Sequence, residues 1–127
     1  MEPVVVVILL ACAQYMVLAW LVGRARVRYG VSAPATTGNE SFERVFRAHQ
    51  NSLENLVIFI PAVWIFGVYV GPMWAAGLGI LYVLARIVYA RGYFAAAEKR
   101  SIGAGISGFV LIALVLGGLI GVALAYR

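Results

Sequence analysis

The chain has 127 residues, enough for one domain, of which 64% are hydrophobic and only 12% charged. Soluble domains carry about a quarter charged residues, so a water-soluble globular fold is excluded and a single multi-pass membrane domain over 1–127 is expected. The net charge of +5 does not mark a nucleic-acid binder, because Arg24, Arg26, Arg28, Arg44, Arg47, Arg86, Arg91, Lys99 and Arg100 lie toward one side of the expected spans and only Arg127 toward the other. That asymmetry orients spans in a bilayer, with the first and third connections cytoplasmic and both termini outside.

Pro3 to Gly23 carries no charge and, at about 1.5 Å per residue, crosses a hydrocarbon core of about 30 Å. A cleavable signal peptide fits poorly: Glu2 stands in place of a basic leader, and the basic cluster follows the apolar run instead of preceding it. Cys12, the single cysteine, reads as inert packing. Val31 to Ser41, with Pro34, Gly38 and Asn39, is a loop by turn chemistry. Ser41 is the expected N-cap of a second helix from Phe42 to Val70, with Glu43 placed favourably for the helix dipole. Gly71-Pro72 is the outer turn, with Trp64, Tyr69 and Trp74 as an aromatic belt. A third helix starts near Met73 and is expected to continue through Ala95-Ala96-Ala97 toward Arg100, alanine being the best helix former. Ser101 to Tyr126 is the last span, and Gly117 and Gly121 offer a close-packing face.

The chemistry gathers at one end. At about 100° per residue, Arg44, Arg47, Asn51, Glu54 and Asn55 share roughly a third of the second helix's circumference. On the third helix, Tyr82, Arg86, Tyr89, Tyr93 and Arg100 fall within about 60°. Counted from the outer turn, Glu54 and Tyr89 both lie about 25 Å away, and Asn51 and Tyr93 about 30 Å. Polar groups at this depth are costly unless they line a cavity or find partners. The ligand this pattern implies is small and bears both carboxylate and ammonium groups: the arginines take the first, Glu54 the second. His49 lies about half a turn away from the Arg47/Asn51/Glu54 face. No Cys/His metal spacing, P-loop or catalytic-triad order is present.

The segments P-A-T-T-G, F-E-R-V-F-R-A-H-Q-N-S-L-E-N and L-A-R-I-V-Y-A-R-G-Y resemble the MAPEG family (membrane-associated proteins in eicosanoid and glutathione metabolism), a likeness that extends over nearly the whole chain. The resemblance implies an all-α membrane fold, a four-transmembrane-helix bundle assembled as a homotrimer, in a bacterial inner membrane or an endoplasmic reticulum. It implies glutathione bound between neighbouring subunits by Arg47, Asn51, Glu54, Tyr89 and Tyr93, with Arg26 and His49 from the adjacent subunit. It also implies thiolate stabilisation by Arg100, with Ser101 as a second candidate. Asn55 and Val27 depart from the pattern of the family's leukotriene-forming members. The function implied is a membrane glutathione transferase or peroxidase acting on a lipophilic electrophile or hydroperoxide. A non-catalytic lipid-binding scaffold of the same family is the alternative. A small multidrug transporter, also four spans long, would need a membrane-embedded acid in its first helix, and Pro3 to Gly23 has none.

Overall fold

Four helices, joined in sequence by short connections, describe the whole chain. The computed structural model covers residues 1–127. The first helix, α1 (Glu2–Tyr29), takes Pro3 in its first turn and ends at Gly30, whose φ of 70° is left-handed. Its basic last turn, Arg26 and Arg28, suits the negative end of the helix dipole. The second, α2 (Glu40–Tyr69), begins earlier than Ser41. The side chain of Asn39 accepts from the Phe42 backbone N–H at 3.0 Å and is the true N-cap. Asparagine competes with serine on equal terms for that role, and Ser41 instead accepts from Arg44. After the Val70-Gly71 turn, α3 runs from Pro72 to Ala95 and α4 from Ser101 to Tyr126.

The expected run of α3 toward Arg100 does not occur. Ala96 is extended, with φ −164° and ψ 143°, and Ala97–Arg100 form a 3-10 turn before α4. The reason lies in Gly92: a Cβ there would overlap the backbone carbonyl of Lys99. The chain doubles back against the last turn of α3, and glycine is what admits it.

All four helices are long and apolar enough to cross a membrane, and the protein is an integral multi-pass membrane protein. The inner pair is α2 and α3, whose spans are 39% buried in the chain, against 22% for α1 and 17% for α4. Between helices in lipid there is little hydrophobic transfer to gain, so association rests on tight packing and small residues. Phe59 of α2 stacks on Tyr82 of α3 at 4.0 Å, amid Val4, Val7, Val63, Ala75, Val110 and Leu114. Gln14 of α1 donates to the Val83 carbonyl of α3 at 3.0 Å. Gly117 and Gly121 do form a close-packing face, turned to Phe66 and Tyr69 of α2 and to Val70 just after it in the same chain. Trp64, Tyr69 and Trp74 are exposed near the outer turn, where an aromatic belt belongs.

Candidate functional site

Near the opposite end, α2, α3, the 3-10 turn and α4 enclose a cleft of about 290 Å³ lined by Asn51, Glu54, Asn55, Arg86, Tyr89, Arg100, Ala104 and Gly108. That is near the lower limit of small-molecule sites, about 300–1,000 Å³. Its lining is polar: one carboxylate, two guanidinium groups, two amides and a phenol meet there.

Its floor is Arg86, 3% exposed. The guanidinium donates to Ser52 of α2 at 3.0 Å and to Ser107 of α4 at 3.2 Å. Its carbon lies 3.8 Å from the centroid of the Tyr89 ring. Ser107 in turn donates to the Gly103 carbonyl at 2.7 Å, which leaves its lone pairs to the arginine. One cation therefore ties three helices. The close approach of α4 to α3 depends on Gly103, where a Cβ would overlap the Tyr89 backbone.

Tyr89 also accepts from the Asn51 amide at 2.7 Å. Residue counting paired Tyr89 with Glu54 and Asn51 with Tyr93. The bond is one turn off that register, because counting gives backbone levels and a tyrosine ring reaches across about one helical pitch of 5.4 Å. Tyr93 packs edge-on to Tyr89 at 5.7 Å and is buried beneath Arg100 without lining the cleft. Arg100 reaches the cleft from the 3-10 turn, not along α3. It lies 5.2 Å over the Tyr93 ring and donates to the Ala97 carbonyl at 2.9 Å.

The remaining sequence candidates lie elsewhere. Ser101 is exposed, donates to the Glu98 carbonyl at 3.2 Å and does not line the cleft. Arg47 is exposed on the outside of α2. His49 stacks on Tyr15 of α1 at 4.5 Å. Arg26 donates to the Val31 and Ala35 carbonyls and lies over the Phe42 ring, clasping the first loop. Arg44, from the same predicted stripe, turns to the Phe94 carbonyl and Glu40. Ser52 and Ser107 escaped sequence reasoning, although Ser107 is the only hydroxyl between Ile102 and Ala125.

The sequence profile of the MAPEG family matches residues 4–120. The chain belongs to the MAPEG family. Microsomal glutathione S-transferase 2 of Mus musculus is 46% identical over 115 residues, which are 91% of this chain and 78% of that protein. An uncharacterized protein of Synechocystis sp. is 50% identical over 113 residues, 89% of this chain and 82% of that protein. Leukotriene C4 synthase of Cavia porcellus is 42% identical over 77 residues, 61% of this chain and 51% of that protein. In this MAPEG chain, Asn51, Glu54 and Asn55 of the α2 stripe meet Arg86 and Tyr89 of the α3 stripe and Arg100 in one cleft, while Arg44, Arg47, Tyr82 and Tyr93 do not line it.

Proposed function

We propose that the protein is a membrane glutathione transferase that joins the glutathione sulfur to a lipophilic electrophile or uses it to reduce a hydroperoxide. The observation that carries this is the convergence of Arg86, Arg100, Glu54, Asn51 and Tyr89 on one cleft. Glutathione bears two carboxylates, an ammonium and a thiol. The donor set matches it group for group: guanidinium for anion, carboxylate for ammonium, amide and phenol for the peptide bonds. The similarity to microsomal glutathione S-transferase 2 supports the same substrate.

The chemistry this chain would supply is electrostatic. A free thiol titrates near 8.5, and the thiolate is the nucleophile. Arg100, at the rim, attracts the sulfur anion and releases its proton to water. The thiolate then forms an S–C bond, and the electron pair of the broken bond leaves with the electrophile's leaving group. With a hydroperoxide, two glutathione thiols give one disulfide, one alcohol and one water. Ser101 and Tyr93 remain secondary candidates for the thiol.

We extend the proposal to a homotrimer with cytoplasmic clefts and both termini on the other side. The cleft has walls from α2, α3 and α4 and none from α1. A neighbouring chain presenting Arg26 and His49 would supply the fourth side. A non-catalytic lipid-binding scaffold has no use for Arg100 and Arg86 together in one cleft.

The test is a conjugation and hydroperoxide-reduction screen on detergent-purified protein, with calorimetry of glutathione binding alongside. Binding with turnover of at least one electrophile or peroxide is expected. Binding of lipid without glutathione would overturn the transferase reading in favour of the scaffold.

A further inference from the structure

Arg86 is a buried cation without a counter-ion. The chain's ion pairs within 4.0 Å are those of the N-terminal amine with Glu2 and of Arg44 with Glu40. Neither involves Arg86. Its two hydrogen-bond partners are neutral hydroxyls, its Nε has no partner, and its flat face lies on Tyr89. The charged or titratable groups around it are Tyr82 and Tyr89 from α3, Glu54 from α2 and Arg100 from the 3-10 turn. From α4, Ser107 accepts from it, and Ile102 to Ala125 carry no charged or titratable side chain.

A guanidinium at this depth is expensive, and removing the partner of a buried charge ordinarily destabilises a fold strongly. Yet here the fold maintains the unpaired charge with three devices: a serine on α2, a serine on α4 and a ring on α3. Such an arrangement keeps a fixed positive potential at the floor of the cleft, where low polarity makes it most effective. Stabilising the bundle would be served as well by an apolar side chain of the same volume. The group best suited to answer the charge is an anion brought in by the ligand. Of the anions on a thiol peptide, carboxylates are the harder to strip of water and suit the open, wetter end of the site. The sulfur is the group suited to the dry floor.

We infer that Arg86 is a second cation for the thiolate, acting from the floor of the cleft while Arg100 acts from its rim, and that Ser52, Ser107 and Tyr89 hold it there. This rests on glutathione being the ligand, and the experiment separates the two claims. The ultraviolet thiolate band of bound glutathione is titrated for the wild type, Arg86→Gln, Arg86→Lys and Arg100→Gln, with S-methylglutathione binding measured in parallel. If the wild type binds neither peptide, glutathione is the wrong ligand. Given binding, Arg86→Gln raises the midpoint by about one unit or more, Arg86→Lys restores most of it, and S-methylglutathione affinity changes less than threefold. An unmoved midpoint, or equal losses of affinity for both peptides, overturns the inference. Should Arg86→Gln fail to fold, Arg100→Gln decides: its midpoint stays below the free-thiol value of about 8.5 if Arg86 contributes, and reaches it if Arg86 does not.

Discussion

Arg100 lies 5.2 Å over the ring of Tyr93, although an extended Ala96 and a 3-10 turn separate them in the chain. The turn swings the guanidinium back over the end of α3, so Arg100 enters the cleft anchored by one tyrosine face and the Ala97 carbonyl. Arg86 is fixed by helices; Arg100 is fixed by a turn. The two cations thus differ in exposure while serving one cavity.

Arg100→Ala should bind glutathione nearly as the wild type does and lose turnover. Its bound thiol should titrate about one unit or more higher, so the thiolate band weakens at neutral pH and recovers as pH rises. The measurement is the band against pH, beside kcat and KM. An unchanged midpoint would make Arg100 a basic anchor like Lys99 and direct attention to Ser101 or Tyr93.

Glu54→Ala removes the only carboxylate of the cleft. Glu54 is exposed at the mouth of the cleft, so losing its ion pair with a ligand ammonium should cost about 1 kcal/mol, a fall in affinity of about fivefold. Asn51→Ala breaks the 2.7 Å bond to Tyr89 and should cost about 1 kcal/mol. Calorimetry with glutathione measures both. Equal affinities in both variants would move the site out of this cleft.

Gly103→Ala adds a methyl where α4 meets the Tyr89 backbone. Backbone cannot yield as a side-chain tip can, so the helices must part, and Ser107 is drawn from Arg86. A loss of about 1–3 kcal/mol of stability is expected, seen as a lower unfolding temperature in detergent. Gly105→Ala is the control. Nothing lies within 4 Å of a Cβ there, and alanine is the better helix former.

The four spans, the turn at Gly71-Pro72 and the inward stripe of Tyr82, Arg86, Tyr89 and Tyr93 were legible in the sequence, because charge is excluded from lipid and helical periodicity groups what remains. The break at Ala96 was not. Three consecutive alanines carry the highest helix propensity, and the close approach of Lys99 to Gly92 that accompanies the break is visible only in the folded chain. Propensity is a weak prior that tertiary contact overrides. Ser52 and Ser107 were hidden for a related reason: a hydroxyl in an apolar helix satisfies itself on its own backbone, as Ser107 does with Gly103, and nothing local reveals that it also serves an arginine.

Arg26 and His49 are expected to serve the cleft of an adjacent subunit, not their own. Within one chain, His49 stacks against Tyr15 and Arg26 clasps the loop after α1, and neither lines the cleft. If they serve glutathione at all, they serve the cleft of a neighbour. In a closed three-fold ring each interface joins two different surfaces, so a site takes its cleft from one chain and these two residues from the next. Co-expression then distinguishes the arrangements. One chain carries Arg100→Ala, which removes turnover, and the other carries Arg26→Ala with His49→Ala, which removes what a neighbour supplies. In mixed trimers, a site combining the cleft of the second chain with the Arg26 and His49 of the first is wild type throughout. Random equal mixing makes about a quarter of sites intact, and activity should return to that order. If both residues acted within their own chain, no mixture would contain an intact site, and activity would stay at the level of the separate variants. Mass measurement of the mixed assembly in mild detergent should give three chains, and a monomer or dimer that still binds glutathione would overturn the trimer.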